Sequence, residues 1–337
     1  DNQKVDFKES QSFRGRLLYK PTDRLSIDMR GQYTDQQGGS GYFMPGSEGV
    51  LPLPPPAEPI FFGNPTYEIQ SNRIGESFVE FSELSAKIDY EFSWGTLTSV
   101  TSYTDVESGN DQDLDQTLVD AINIIVIDDS QTLAQEFRLT SHADQRLRWV
   151  AGAYFFDQDR FRSLATTFFG FPVPPAAQDL ELRNYAVFGN MSYDLTGDLE
   201  LTLAFRYDEE TPKDLTQGRS ETFTELQPKA SLAYSFHEGL LGYVTVGKGF
   251  RAGGFNNLSE GSNFAPGFDQ ESLISYETGL KWSAYDGRLR TAMALFFTDY
   301  TDQQFFLFDQ TGTQANINVP KSEILGGEFE LAAQVSS

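Results

Sequence analysis

Apolar residues recur at every second position along much of this chain. Leu25, Ile27, Met29, Gly31 and Tyr33 alternate with Ser26, Asp28, Arg30, Gln32 and Thr34. Leu84, Ala86, Ile88, Tyr90, Phe92 and Trp94 do the same against Ser85, Lys87, Asp89, Glu91 and Ser93. Leu199 to Tyr207 and Ala230 to Phe236 repeat the pattern. A period of two is that of a β-strand with two unlike faces. Read this way, the chain holds about 13 strands. They lie near 13–20, 25–33, 84–93, 97–105, 132–141, 147–156, 184–194, 199–208, 229–236, 241–251, 275–283, 288–299 and 324–334. One of them, 148–156 (RWVAGAYFF), is apolar on both parities, so alternation leaves its orientation open.

The connections carry as much information as the strands. Six are short: KPTDRL, SWGT, SHADQRL, LTGD, FHEGLL and AYDGR. They alternate with six long ones near 34–83, 106–131, 157–183, 209–228, 252–274 and 300–323. Short turns at one end and long loops at the other describe a transmembrane β-barrel. Strands of about 8 to 12 residues have the length that a tilted strand needs to cross a bilayer.

Composition sharpens this picture. The chain has 29 Phe and 15 Tyr in 337 residues, yet its mean hydropathy is −0.40. Large apolar groups are therefore dispersed among polar ones. No run of 18 apolar residues exists, which excludes a membrane-spanning helix but not a membrane-spanning strand. With no cysteine, neither a disulfide framework nor a thiolate metal site is available. A formal charge of −24 argues against a nucleic-acid partner. The first residues, DNQKVDFKESQSF, lack the apolar segment of a signal peptide. If the protein is exported, its beginning lies upstream of this chain.

The stretch 242–257, GYVTVGKGFRAGGFNN, places Val244, Val246, Lys248 and Phe250 on one parity. Tyr243, Thr245, Gly247, Gly249 and Arg251 fall on the other. In a barrel the first set meets lipid, and Lys248 is tolerable there only near the rim, where its ammonium reaches headgroups. The second set points into the lumen, where glycine leaves room for a close approach.

Candidate chemistry is sparse. His142 and His237 both fall in short turns, with no partner in the sequence for a catalytic role. The segment 105–130 holds eight acidic residues and no basic one. Asp111, Asp113 and Asp115 have the spacing that opens a calcium loop, but no glycine follows at the sixth position and Ile122 stands where the bidentate Glu belongs. A solvated outer loop is the expectation, with loose divalent-cation binding the sharper alternative. The proline-rich segment 49–65 reads as a stiff loop or a lid over the mouth. Inward charges such as Arg14, Arg16, Arg30, Arg138, Lys229 and Arg290 are expected to solvate a lumen and to pair with one another.

Five motifs occur in a set order: AQEFRLTS (134–141), WVAGAYFF (149–156), GYVTVGKGFRAGGFNN (242–257), YETGLKW (276–282) and FFTDYTD (296–302). Together they resemble the barrel of TonB-dependent outer-membrane receptors, and the resemblance runs from Phe13 onward. It implies an all-β, antiparallel, plugged barrel of about 22 strands, of which about 13 are present here. It implies energy-coupled uptake of a scarce solute, foremost a ferric siderophore or similar metal chelate. The rival functions are a passive porin and a soluble carbohydrate-binding module. The resemblance also implies partners: an extracellular small molecule, outer-membrane lipid, and the TonB complex reached through a plug domain and coupling box. Neither of these two precedes Asp1, and the end, GGEFELAAQVSS, reads as the first strand of an unfinished hairpin. Residues 1–337 are thus expected to be an internal barrel fragment without its plug. The candidate lumen, ligand or plug contacts are Arg206, Lys248, Arg251, Glu277 and Lys281. No catalytic residue, metal site or cofactor is expected.

Overall fold

The computed structural model describes residues 7–40, 49–51, 60–62, 71–115, 118–258, 262–308 and 314–334. Thirteen long strands follow one another in the chain. They are β1 (Lys8–Thr22), β2 (Leu25–Gly39), β3 (Glu76–Phe92), β4 (Gly95–Asp113), β5 (Ile122–Ser141), β6 (Leu147–Phe168) and β7 (Phe171–Asp194). The remainder are β8 (Leu199–Asp214), β9 (Phe223–His237), β10 (Leu240–Arg251), β11 (Glu271–Ala284), β12 (Leu289–Phe308) and β13 (Gln314–Ala333). Each pairs antiparallel with its neighbours in the chain, and all thirteen windows read from the alternation fall inside them or within a residue. With Arg219–Ser220 beside the end of β8, they form a 14-stranded sheet. The sheet runs from β1 to β13, and each of these end strands has one neighbour.

Among the described residues there is no apolar core: only Ala121, Ala186, Phe223 and Ala315 are buried hydrophobics. One face of the sheet is instead apolar and open. The row Trp149–Met191–Leu203–Ala230–Val246–Tyr276–Phe297–Leu325 crosses eight strands on that face. The row Leu201–Leu232–Val244–Thr278–Leu295 runs beside it. Leu203, Phe205, Leu232, Tyr234, Leu280 and Trp282 are all substantially exposed there. The opposite face carries Glu200, Thr202, Arg206, Lys229, Ser231, Glu277, Gly279 and Lys281, as the alternation predicts. Register settles the ambiguous segment 148–156 too: Trp149 lies opposite Met191 on the apolar side, and Arg148 opposite Ser192 on the polar side.

The strands are longer than the windows, from 12 residues in β10 to 24 in β7. Much of what reads as long loop is ladder. Residues 157–168 pair with 171–183, and the hairpin closes on Phe169–Gly170, both at positive φ (49° and 75°). That is the geometry of a two-residue turn matched to strand twist. Over 157–168 apolar residues fall on both parities, Phe161 on one and Leu164 and Phe168 on the other, so the two-residue period fades while backbone pairing continues. Of the proline-rich segment 49–65, Gly49–Leu51 pairs with Ile60–Phe62, and the rest lies outside the described residues.

The three tryptophans gather at the short-turn end. Trp94 and Trp149 stack with ring centroids 6.1 Å apart, and Phe92 stacks on Trp94 at 5.1 Å. Trp282 sits opposite Leu240 and Thr291, near the β11–β12 turn. Each tryptophan lies within two residues of a strand end at a short turn, where amphipathic rings mark a membrane interface.

Candidate functional site: the polar wall

The polar face is a wall with two characters. On β2–β8, among the described residues, the inward cations are closed by carboxylates of the wall itself. Arg30, Lys87, Arg138, Arg148, Arg160, Arg162 and Arg206 each lie within 4.0 Å of one. Arg148 bridges Asp194 and Glu200, both at 2.6 Å. Arg206 grips Asp208 with two bonds of 2.7 Å, and its guanidinium lies 5.5 Å from the Tyr154 ring. Asp208 also accepts from Gln227 Nε2 (2.7 Å) and Asn184 Nδ2 (3.2 Å), and is 4% exposed. Two charged oxygens, four donor atoms and little water make this a rigid knot.

On β9–β13 the inward cations are Lys229, Arg251, Lys281 and Arg290. Among the described residues none has a carboxylate within ion-pair distance. Hydroxyls and small residues replace the charged pairs: Ser231 Oγ meets Thr245 Oγ1 at 2.8 Å, and Ser275 Oγ meets Thr298 Oγ1 at 3.2 Å. Tyr243 is the hub. Its hydroxyl donates to Glu277 Oε1 at 2.6 Å, and Lys281 Nζ stands 5.5 Å from its ring centre. Lys229, Tyr243, Thr245, Gly247, Glu277 and Lys281 line a depression of about 440 Å³.

Glycine is needed here for close approach. Tyr243 is registered directly across from Gly279, and a Cβ on Gly279 would stand 2.7 Å from the Tyr243 ring and from the Met293 carbonyl oxygen. The same aromatic-over-glycine pairing recurs at Phe188–Gly152 and Phe296–Gly326. Gly247 differs: a methyl group at that position would find its nearest neighbour in Lys229 Cγ at 3.5 Å, an ordinary contact.

The five candidate residues therefore do not form one site. Glu277 and Lys281 meet around Tyr243, Arg206 is locked in its own knot, and Arg251 stands exposed at the far end of β10, opposite Glu271. Lys248, on the lipid parity, has a carboxylate partner. The β9–β10 ladder ends at Lys229–Gly247, and just past it Lys248 Nζ bonds Glu225 Oε1 at 2.7 Å. Tyr243 and Asp208 do not stand out in the sequence as site residues. The signal for Tyr243 is an aromatic on the glycine parity of its strand.

The acidic segment is also not a solvated loop. Asp111 pairs with Arg73 at 2.5 Å, and Ser71 Oγ donates to Asp113 Oδ2 at 2.7 Å. Asp115, 3% exposed, accepts from the backbone N–H of Ala121 (3.2 Å) and Ile122 (2.8 Å). Asp128 is held by Arg160. These carboxylates serve as internal acceptors that tie the β4–β5 tip. Among the described residues no three His, Asp or Glu side chains group as metal ligands. His142 Nε2 lies 3.1 Å from the Ser93 carbonyl oxygen, and His237 Nδ1 lies 2.9 Å from that of Glu238, both at the short turns.

The sequence matches the family model described as TonB dependent receptor-like, beta-barrel, over residues 13–336. The chain belongs to that family. Its fold is shared with solved outer-membrane receptors. The ferric yersiniabactin uptake receptor FyuA of Yersinia pestis superposes with a TM-score of 0.74 at 12% identity, over 98% of this chain and 50% of that one. The siderophore receptor PiuA of Acinetobacter baumannii gives 0.69 at 14% identity, over 98% and 55%. The alcaligin receptor FauA of Bordetella pertussis gives 0.63 at 15%, over 98% and 51%. At such identities the likeness is one of fold, and the chain spans about half the length of these receptors. TonB-dependent receptor barrels reside in the outer membrane, so the open apolar face is the lipid face and the polar face lines the lumen. The family is one of transport receptors, not of enzymes.

Proposed function

We propose that these residues form part of the barrel of a receptor that imports a scarce solute, a ferric siderophore or similar metal chelate, across the outer membrane. The observation that carries this reading is the family match over residues 13–336, supported by the shared fold with receptors named for ferric siderophores. In the complete protein a plug domain fills the lumen and couples it to the TonB complex. Arg251, at the long-loop end, is the contact offered to an arriving ligand. Lys281 and Glu277, deep in the wall, face whatever occupies the lumen. Arg206 and Lys248 hold the wall together.

The test uses the complete receptor in cells that lack other iron-chelate receptors. Uptake of ⁵⁵Fe-labelled chelates should occur with an intact TonB complex and cease when that complex is deleted. A passive porin would continue to admit its solute after the deletion.

A further inference from the structure

The unpaired cations of β9–β12 are not scattered. Arg251 lies in the row of Glu271, Lys229 in the row of Gly247, Lys281 in the row of Leu241, and Arg290 in the row of Ser283. These rows span about twelve ladder positions, which is about 40 Å along strands that rise about 3.3 Å per residue. With barrel strands tilted about 40°, that is about 30 Å of height, the full depth of the hydrocarbon layer. The cations thus descend one wall from the long-loop end to the short-turn end.

Their surroundings suit a passing ligand better than a packed contact. Between them the wall mixes small and hydroxylic positions, Gly249, Gly247, Thr245, Ser275, Gly279 and Ala292, with the larger Leu273, Tyr243, Leu241 and Phe296. The depression that Lys229 and Lys281 share, about 440 Å³, is in the size range of small-molecule sites. On the β13 side the wall turns acidic at Glu328 and Glu330; on β11 the carboxylates of Glu271 and Glu277 keep their charge but are held in place, by the Gln304 backbone N–H and the Tyr243 hydroxyl. On the β8 side the charges are closed by Arg206–Asp208. A negative solute is therefore attracted by four open cations in succession and repelled along the β13 flank.

We infer that the solute is an anion and that it crosses along the β9–β12 wall, passing from Arg251 to Lys229, Lys281 and Arg290. This rests on the uptake reading above and adds the ligand's charge class and its route.

The experiment compares two ⁵⁵Fe probes in cells carrying the complete receptor: a trianionic ferric tris-catecholate and a charge-neutral ferric tris-hydroxamate. The variant is Lys229→Gln with Lys281→Gln. The control is Lys87→Gln, whose charge is closed by Asp89 on the opposite half of the wall. Heat-modifiable migration on gels confirms that each barrel is folded. The expected result is uptake of the trianion, with a maximal rate that falls about tenfold in the double variant while surface binding at 0 °C and the control stay unchanged. Uptake of the trianion at the wild-type rate in the double variant would overturn the route and leave the uptake reading standing. Preference for the neutral chelate would overturn the charge class. A double variant that instead leaks a large polar antibiotic would mean the lysines hold an internal domain, which also overturns the route. Uptake of neither probe by the wild type would overturn the uptake reading and this inference with it.

Discussion

The two faces of β8 and its neighbours make opposite use of the same backbone. On the lipid face, Leu201, Leu203, Phe205 and Tyr207 meet apolar partners across the ladder but make no polar bond, and most remain exposed. On the lumen face, Thr202 bonds Ser192 at 2.7 Å and Arg206 is tied to Asp208. The lipid face is held by its solvent, the lumen face by particular pairs. The first should tolerate any apolar residue and reject charge; the second should tolerate charge and reject the loss of a partner.

The largest effect expected is a charge on the lipid face. Leu203→Arg should cost about 2–4 kcal/mol in urea unfolding of the receptor in lipid vesicles, whereas Thr202→Arg, one residue away and facing the lumen, should cost about 0.5 kcal/mol. Equal costs would break the comparison. Next comes loss of a lumen partner. Asp208→Leu leaves Arg206, Asn184 and Gln227 without their shared acceptor, at about 2 kcal/mol, because Arg206 recovers some of its hydration from the lumen. Lys229→Leu, which removes no ion pair, should lie near zero on the same assay. A smaller pair separates two glycines. Gly279→Ala pushes a methyl against the Tyr243 ring and the Met293 carbonyl and should cost about 1–2 kcal/mol. Gly247→Ala has room and should be neutral or stabilising by about 0.5 kcal/mol. The smallest effect is spectroscopic: brominated lipids should quench Trp149 and Trp282 most strongly when the bromine sits near the headgroup, since both rings lie at the short-turn rim.

What could be read from the sequence follows from which distances a pattern can see. Alternation is local, so all thirteen strands were legible, and so was the facing of those with two unlike faces; segment 148–156, apolar on both parities, needed its register with β7. The hairpin extensions were not. Residues 157–168 and 171–183 alternate nothing against lipid, and only pairing with each other makes them strand. The polar knots were half legible. Arg206 and Asp208 stand two apart on one strand, but Asn184 and Gln227 join them through register with β7 and β9, which no single stretch reveals. Lys248 shows the same limit: its partner Glu225 comes from the stretch of β9 beyond the end of its ladder with β10. The acids of 105–130 read as solvated because their donors, Arg73, Ser71 and Arg160, lie far away in sequence.

The assignment of the apolar face to lipid and the polar face to the lumen supports every other conclusion, and one measurement addresses it directly. Nitroxide labels on single cysteines at positions 202 and 203, in the complete receptor reconstituted into vesicles, report oxygen against water-soluble nickel chelate. Position 203 should be open to oxygen and closed to nickel, and position 202 the reverse. A label at 203 that sees nickel, with one at 202 that sees oxygen, would contradict the orientation of the whole sheet.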